Sequence, residues 1–225
     1  MSTAVVARDR KSTVLKINEI FHSIQGESRH AGRPCVFVRL TACNLRCSWC
    51  DTAYAFEEGS DSRVGEILSR VEAFGTRYVL VTGGEPLVQD GVHDLIGELC
   101  DAGFEVAVET GGSLDIAPVD RRALIVMDLK CPGSGMCAQN SYGNLAHLKP
   151  GDEVKFVIAD RADYEWARET MVRHALEGRV GVLLSPVHGV MDPRPLAEWI
   201  LADRLTARLQ LQIHKYVWPA DMRGV

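Results

Sequence analysis

The amino-acid sequence predicts an α/β fold, an open and partial (β/α) barrel with about six mainly parallel strands. Short apolar runs that are typical of buried strands alternate with segments whose apolar residues recur at helical spacing. This alternation favours right-handed crossovers between neighbouring parallel strands. About six such units are too few to close an eight-stranded barrel, so the sheet is expected to remain open.

Each predicted element follows from a local pattern. Runs of β-branched and aromatic residues predict strands at residues 36–40, 78–81, 104–108, 124–127, 154–158, 180–184 and 209–213. Apolar residues at helical spacing predict helices at residues 64–74, 92–100, 161–176 and 195–208. Gly75 and Gly103 follow the first two helices, where glycine commonly ends a helix. Residues 1–13 are expected to form a flexible tail and residues 14–225 a single domain.

The composition argues against several classes of protein. Of the 225 residues, 46% are hydrophobic and 24% are charged, which is ordinary for a globular domain. The formal net charge of −5 gives no basic surplus, so no nucleic-acid partner is expected. No apolar run approaches the ~20 residues of a transmembrane helix, and the first residues do not resemble a secretory signal. We therefore expect a cytoplasmic protein without a membrane partner.

The loops that follow the predicted strands carry most of the polar and glycine-rich motifs. Ligands gather at the carboxyl ends of parallel strands, because loops and free backbone groups converge there. These loops are therefore expected to share one mouth. They begin at Cys43, Gly83, Glu109, Asp128 and Ser185.

The first of these loops holds three of the seven cysteines, Cys43, Cys47 and Cys50, in the spacing C-x3-C-x2-C. Three thiolates on one short loop can each bind one iron of a [4Fe–4S] cluster and leave the fourth iron open to another ligand. The alternatives are a structural zinc site or three thiols without a metal. Zinc needs a fourth ligand, and the nearest candidates, Cys35 and His30, lie on the far side of the predicted strand.

The second loop begins with Gly83-Gly84-Glu85-Pro86. Two glycines allow the backbone to approach a ligand closely, and a carboxylate beside them can bind an ammonium group. Alone, the motif is just as typical of an ordinary turn. Its position behind a strand and after the cysteine loop favours the ligand-binding interpretation.

The cysteine spacing, with Trp49 before the last cysteine, and the Gly-Gly-Glu motif resemble the radical S-adenosylmethionine (SAM) superfamily. In that superfamily SAM chelates the open iron. The reduced cluster then passes one electron to the sulfonium, and the resulting 5′-deoxyadenosyl radical abstracts a substrate hydrogen. The resemblance implies one [4Fe–4S] cluster, SAM as cofactor and a partial barrel of the radical SAM type. It also implies that Glu85 receives the SAM amino group.

Further motifs resemble the 7-carboxy-7-deazaguanine synthase family. They are the segments 20–28, 32–34, 37–40 and 50–52, together with His214-Lys215-Tyr216. The likeness extends from about Asn18 to the last residues and is densest over 21–52 and 83–86. Two positions depart from the family pattern, because Ala42 and Ser28 stand where glycine is common.

This resemblance implies a carbon–nitrogen lyase that converts 6-carboxy-5,6,7,8-tetrahydropterin to 7-carboxy-7-deazaguanine with release of ammonia. The reaction lies on the route to queuosine and related 7-deazapurines. In the family SAM is regenerated after each turnover, and activity depends on Mg²⁺. A homodimer and a flavodoxin- or ferredoxin-like electron donor are further expectations.

The implied site residues are carried over position by position, and none of them is expected to act as an acid or base. Thr52 is implied as a Mg²⁺ ligand. The residues implied to frame SAM are Trp49, Asp51, Gly84, Glu85, Asp128, Leu129, Lys130, Ser185, Pro186, Val187 and His188. The residues implied to contact the pterin are Ile24, Gln25, Gly26, Glu27, Arg39, Thr82, Pro219 and Val225.

Several of these residues also have plain structural interpretations. Gln25-Gly26 is compatible with a simple turn, and Arg39 with a charge at a strand edge. Lys130 is compatible with a solvated loop, and Asp51 with a cap on the turn after Cys50. These alternatives remain open at the level of the sequence.

The end of the sequence departs from one form of the family. Some relatives stop soon after the His-Lys-Tyr segment, and their terminal carboxylate reaches the substrate. Here residues 220–225 follow Pro219, which therefore has no free carboxylate. We expect either that the Pro219 carbonyl substitutes or that the tail folds back and places Val225 in the site. The alternative is a frayed end.

Two other functions remain to be weighed. A glycyl-radical activase does not account for Gln25-Gly26-Glu27 and Arg33-Pro34. A non-enzymatic iron–sulfur electron carrier does not account for the Gly-Gly-Glu motif and more usually has four cysteines. The segment 131–137 offers two cysteines, too few for a second cluster, and is expected to be a plain loop. Cys100 is expected in the core.

Overall fold

The structure is a computed structural model that describes residues 9–225. Within these residues the strands are β1 Val14–Ile24, β2 Pro34–Leu40, β3 Ser60–Arg63, β4 Tyr78–Gly83, β5 Glu105–Thr110, β6 Leu124–Asp128, β7 Glu153–Ile158, β8 Gly181–Pro186 and β9 Arg208–Leu209. The α-helices are α1 Val64–Glu72, α2 Val92–Asp101, α3 Arg161–Arg173, α4 Pro193–Ala202 and the short α5 His214–Val217.

All nine of these strands belong to one open sheet, in the order β3-β1-β2-β4-β5-β6-β7-β8-β9. From β2 to β9 every neighbouring pair is parallel, whereas β1 runs antiparallel to both β2 and β3. The predicted open α/β partial barrel is confirmed. The sheet has nine strands rather than about six, because the predicted strands include neither β1 nor β3. The segment Ser60–Arg63 is polar throughout and carries no apolar alternation.

The two faces of the sheet have different neighbours. One face packs with α1 to α4 in the main core, which includes Val38 and Val81 of adjacent strands. The other face carries a smaller apolar cluster that includes Phe37 and Leu80. Alternate residues of a strand point to opposite faces, so this inner face is where polar strand residues meet the interior of the partial barrel. No helix among residues 9–225 is long and apolar enough to cross a membrane.

The predicted bounds of two helices and one strand in the C-terminal half of the chain were wrong. The helix predicted at 195–208 begins at Pro193 and ends at Ala202, because Arg204 takes a left-handed conformation with φ 54°. The helix predicted at 161–176 ends at Arg173 for the same reason, since Ala175 has φ 48°. Of the strand predicted at 209–213, only Leu209 pairs with β8, as the second residue of β9, and the following residues turn away toward the mouth of the sheet.

The expected flexible tail needs a similar correction. Residues 1–8 lie outside the described part of the chain. Residues Arg10–Ser12, however, form a 3-10 turn, and the Arg10 guanidinium pairs with Glu98 and Asp101 of α2. The Thr13 hydroxyl donates to Asp94 at 2.6 Å. Arg10 and Thr13 are therefore held against α2 by these contacts.

Candidate active site

The carboxyl ends of the parallel strands surround a cavity of about 610 Å³. All three cysteines of the predicted cluster loop line this cavity, as the shared mouth requires. The other implied site residues that line it are Ile24, Gln25, Gly26, Glu27, Arg39, Trp49, Asp51, Thr52, Thr82, Gly84, Asp128, Lys130, Ser185, Pro186, Val187, His188 and Val225. Glu85, Leu129 and Pro219 are the implied residues that do not.

The cysteine loop leaves β2 through a left-handed residue and packs tightly on the Gly-Gly turn. Ala42 has φ 83°, and its carbonyl accepts a hydrogen bond from the Glu85 amide at 2.9 Å. A Cβ atom at Gly84 would lie 2.6 Å from both the Ala42 carbonyl oxygen and the Cys43 Cβ. Only glycine at position 84 permits this approach. The Gly83-Gly84 turn therefore fixes the position of the cysteine loop.

The thiols fit a cluster better than a single metal ion. Burial raises the pKa of the Cys43 and Cys47 thiols. No group of three His, Cys, Asp or Glu side chains among residues 9–225 is spaced to ligate one ion. A [4Fe–4S] cluster binds each thiolate at a different iron and does not require that spacing. Cys35, the suggested fourth zinc ligand, is buried beside Phe37 in the inner apolar cluster.

Glu85 is bound by several protein donors next to the cavity. Its carboxylate is fully buried behind the cavity wall. It accepts hydrogen bonds from the Thr110 hydroxyl at 2.9 Å, from the Gly111 amide at 2.6 Å and from the Leu87 amide at 3.0 Å. Burial raises the pKa of Glu85. Through these bonds Glu85 joins the Gly-Gly turn to the loop after β5. Its implied contact with the SAM amino group remains a prediction.

Leu129 and Pro219 also fall outside the cavity. Leu129 is fully buried in the main core, because it continues the apolar alternation of β6. Pro219 is exposed, beyond the end of α5. Between the two options for the tail, the structure brings Val225 into the cavity lining and leaves Pro219 outside it.

Asp128 and Lys130 form an ion pair in the cavity wall. Lys130 Nζ lies 2.8 Å from Asp128 Oδ2, while the buried Asp128 Oδ1 has no hydrogen-bond partner within the described residues. The Asn140 side chain holds the backbone of Lys130. It accepts from the Lys130 amide at 2.8 Å and donates to the Lys130 carbonyl at 2.9 Å. Lys130 is therefore not a solvated loop lysine. The unpartnered oxygen is an acceptor available to a ligand in the cavity.

The deep end of the cavity holds a carboxylate–lysine cluster, defined by Glu27, Glu109 and Lys155. Lys155 Nζ lies 2.6 Å from Glu27 Oε2. Burial opposes ionisation of Glu27, but the Lys155 charge and the hydrogen bonds from Lys155 and Gln212 together outweigh it and lower the pKa of Glu27. Burial raises the pKa of Glu109 to about 7, and Lys155 only partly offsets this. One carboxyl is thus held ionised while the other titrates near neutrality.

Sequence reasoning missed Glu109 and Lys155 as site residues, although a signal was present. Each is a charged residue between apolar neighbours in a strand, on the face that lines the interior of the barrel. A charge on the inner face of a buried strand is costly unless it is paired or used. Strand alternation alone would therefore have marked both positions.

Arg39 reaches the same cavity but is already paired. Its Nε lies 2.7 Å from Glu19 Oε1, which also accepts from the Tyr54 hydroxyl at 2.9 Å. The side chain is mostly buried, so the interpretation as a charge at an exposed strand edge is wrong. Any anion that Arg39 binds must share the guanidinium with Glu19.

The C-terminal segment closes one side of the cavity. The Ile213 amide donates to the Gly26 carbonyl at 3.1 Å, and His214 packs so closely that a Cβ at Gly26 would lie 1.8 Å from its Nδ1. Gln212 Nε2 donates to Glu27 Oε1 at 2.7 Å. Gly26 is therefore held by the C-terminal segment and is more than a simple turn.

A second set of contacts fastens the tail beside the cluster loop. Lys215 Nζ lies 2.6 Å from Asp51 Oδ2, and the Thr52 hydroxyl donates to Asp51 Oδ1 at 3.0 Å. Farther on, Arg223 pairs with Glu58 at 3.0 Å and lies over the Tyr54 ring, 3.8 Å from its centroid. Residues from both ends of the sequence thus enclose the same space.

Comparison with known proteins agrees with this geometry. Residues 38–130 match the Radical SAM superfamily. The chain is 48% identical over 214 residues to the 7-carboxy-7-deazaguanine synthase of Chlorobaculum tepidum, covering 94% of this chain and 97% of the relative. It is 43% identical over 226 residues to the 7-carboxy-7-deazaguanine synthase of Koribacter versatilis, covering 94% of this chain and 100% of the relative.

Among solved structures, QueE from Escherichia coli superimposes with a TM-score of 0.78 at 22% identity, covering 93% of this chain and 99% of that one. The SAM-bound SuiB structure from Streptococcus suis matches 76% of this chain with a TM-score of 0.52 at 16% identity. These two likenesses support the fold, and the sequence relatives identify the family. The chain belongs to the 7-carboxy-7-deazaguanine synthase family.

Proposed function

We propose that this protein is a radical SAM lyase that converts 6-carboxy-5,6,7,8-tetrahydropterin to 7-carboxy-7-deazaguanine with release of ammonia. It would serve the biosynthesis of queuosine or a related 7-deazapurine. The observation that carries the proposal is that one cavity joins the cysteine loop to the buried carboxylate–lysine cluster. The names of the sequence relatives supply the product, and the family resemblance implies the substrate.

In this proposal Cys43, Cys47 and Cys50 hold one [4Fe–4S] cluster at the mouth. When bound, the cluster and SAM supply the radical that removes a substrate hydrogen. The free thiols fit this role, and so does the close packing of Gly84 on the loop. Asp128 is a suitable partner for SAM, because its Oδ1 atom is buried without an acceptor role inside the protein. Lys130 orients that carboxylate.

The pterin would occupy the deep end of the cavity. Its ring carries several N–H donors, and the ionised Glu27 is a strong acceptor for them. Lys155 keeps Glu27 ionised, and Gln212 orients it. Glu109, whose pKa of about 7 allows either protonation state, can accept from or donate to the ring. Apolar Phe37 and Leu80 line the cavity beside them.

The substrate carboxylate would lie nearer the cluster, between Arg39 and Mg²⁺. Thr52 lines the cavity directly after Asp51, and its hydroxyl oxygen is a hard ligand of the kind that Mg²⁺ prefers. Few protein ligands are needed, because Mg²⁺ commonly completes its shell with water and substrate oxygens. A homodimer and a flavodoxin- or ferredoxin-like electron donor belong to the same proposal.

The other candidate functions account for less of the cavity. An electron carrier has no use for about 610 Å³ of space or for a buried carboxylate–lysine cluster beyond its cysteines. An activase acts on a protein, whereas the deep end here is enclosed by paired side chains at hydrogen-bonding distance from one another. A small polar ring is the better occupant.

The test is anaerobic incubation of the reduced, reconstituted protein with SAM, Mg²⁺ and the carboxypterin. Mass spectrometry should detect 7-carboxy-7-deazaguanine only when all components are present. A protein that binds a cluster but forms no product would contradict the proposed substrate. A protein that assembles no cluster would contradict the proposed cofactor.

A further inference from the structure

The glycine-rich segment 132–136 contacts the cluster loop directly. Ser48, which lies between the second and third cysteines, donates from its amide to the Ser134 carbonyl at 3.1 Å. Its hydroxyl donates to the Gly133 carbonyl at 2.7 Å. The amide and the hydroxyl of Ser48 thus both donate to one short segment. The expectation of a plain loop at this point is therefore incomplete.

A buried carboxylate holds that segment in place. Asp163 lies in the first turn of α3 and is 1% exposed. Its Oδ1 atom accepts from the Gly133 amide at 2.8 Å, and its Oδ2 atom accepts from the Ala159 amide at 3.1 Å. Both backbone groups of Gly133 are therefore hydrogen-bonded: its amide donates to Asp163, and its carbonyl accepts from Ser48.

The space around Gly133 admits no side chain. A Cβ atom there would lie 2.7 Å from Asp163 Oδ2 and 3.1 Å from the indole ring of Trp49. Trp49 precedes the last cysteine and lines the cavity. The glycine backbone is thus layered between a fixed carboxylate and an aromatic ring of the candidate SAM pocket.

The two halves of the cluster loop have separate supports. At the start of the loop, the Ala42 carbonyl accepts from the Glu85 amide, and Cys43 packs against Gly84. The half from Cys47 to Cys50 is held by Ser48 and Trp49, which both rest on Gly133. Cys50 is exposed, and its amide donates to the Cys47 carbonyl at 3.2 Å.

We infer that Asp163, Gly133 and Ser48 form a brace that positions Cys47, Trp49 and Cys50 for the cluster and for SAM. Asp163 and Ser48 are positioning residues, since neither is a candidate cluster ligand. The inference rests on the proposed function, because it assumes that these cysteines hold a cluster. Three thiolates must match the fixed geometry of a cubane, so a loop that can shift releases iron more readily.

The test compares Ser48→Ala and Ser48→Thr with the wild-type protein and with a control, Ser69→Ala, on the outer helix α1. Three quantities are measured: the melting temperature of the apoprotein, the rate of iron loss to a chelator, and the electron paramagnetic resonance signal of the reduced cluster with SAM. Ser48→Ala should lose iron about fivefold faster, as expected for one neutral hydrogen bond. Its SAM-dependent signal should change while its melting temperature does not.

Ser48→Thr keeps the hydroxyl and should restore the wild-type rate, and Ser69→Ala should match wild type throughout. Gly133→Ala, which forces the Trp49 ring or Asp163 to move, should also weaken SAM binding. Equal iron loss and equal spectra in wild type and Ser48→Ala would overturn the brace while leaving the cluster intact. Absence of a cluster in the wild-type protein would instead overturn the proposed function, and the brace with it.

Discussion

Lys215 Nζ lies 2.6 Å from Asp51 Oδ2, although 164 positions separate the two residues in sequence. Burial opposes ionisation of Asp51, but the Lys215 charge and the hydrogen bonds that Asp51 accepts together outweigh it and lower the pKa of that carboxyl. Asp51 directly follows the last cysteine of the cluster loop. The C-terminal segment is therefore tied by charge to the loop that would carry the cofactors.

Lys215→Gln should weaken substrate and SAM binding by roughly fivefold each, since a charge-assisted contact is lost at a site that remains partly open to water. Equilibrium binding of SAM and the KM for the pterin measure this. Lys215→Arg keeps the charge and should retain most of the affinity. Equal binding by Lys215→Gln and wild type would show that the contact does not position Asp51.

Replacing any one of Cys43, Cys47 and Cys50 with alanine should abolish the chromophore of the cluster or its ability to cleave SAM. A cubane that loses one of three protein thiolates is poorly held. Iron content and absorbance after anaerobic reconstitution measure the loss. Cys100→Ala is the control, because Cys100 lies on the apolar face of α2 in the main core. Loss of iron in that control would contradict the assignment of the cluster to this loop.

Thr52→Ala should raise the Mg²⁺ concentration needed for half-maximal turnover while leaving the cluster unchanged. The substitution removes the hydroxyl oxygen that would bind the cation, and it also removes the donor to Asp51. Titration of activity with Mg²⁺ provides the measurement. Thr52→Ser keeps the hydroxyl and should follow wild type. An unchanged Mg²⁺ requirement in Thr52→Ala would rule out this ligand.

Ala42→Gly should stabilise the fold by about 0.5 kcal/mol. The left-handed conformation at Ala42 costs about 1 kcal/mol for a residue with a Cβ, and the extra freedom of glycine in the unfolded chain offsets about half of the gain. Urea denaturation of the apoprotein measures the difference. The matched control Ala102→Gly, at a position with φ −75°, should instead destabilise by about 0.5–1 kcal/mol. Equal losses in both variants would contradict the assigned backbone strain.

Glu109 should make the stability of the apoprotein depend on pH. Burial raises its pKa from 4.5 to about 7, so the folded state holds the proton more tightly than the unfolded state. The contribution is fully present below about pH 4.5 and is lost as the pH rises through about 7. Wild type should therefore lose stability relative to Glu109→Gln across this window. Parallel pH profiles of melting temperature for the two proteins would contradict the raised pKa.

The parallel core of the fold could be predicted from the sequence, because strands β2 and β4 to β8 are apolar runs buried on both faces. The antiparallel β1 and the polar β3 could not be assigned in this way. Their pairing depends on neighbours that are distant in sequence, such as Val14 opposite Arg63. The predicted ends of two helices were wrong where Ala175 and Arg204 take a positive φ, because neither residue type favours that conformation.

The sequence likewise predicted some features of the candidate site and not others. The loops that carry motifs were predicted to converge, because the carboxyl ends of parallel strands meet at one edge. The buried pairing of Glu27 with Lys155 was not predicted, since it joins residues 128 positions apart. The partners of Glu85 were not predicted either, because Thr110 at the end of β5 and Gly111 after it lie 25 and 26 positions away. A motif indicates which residues matter but not which way a carboxylate points.

The central claim is that the cysteine loop and the carboxylate–lysine cluster serve one reaction in one cavity. The most direct measurement is the amount of 7-carboxy-7-deazaguanine formed per SAM consumed by the reduced wild-type protein with excess carboxypterin. The account predicts more product than SAM consumed, with ammonia equal to product, because SAM acts as a regenerated cofactor in this family. Cleavage of SAM without the deazapurine would contradict it, since the radical would then act on another substrate.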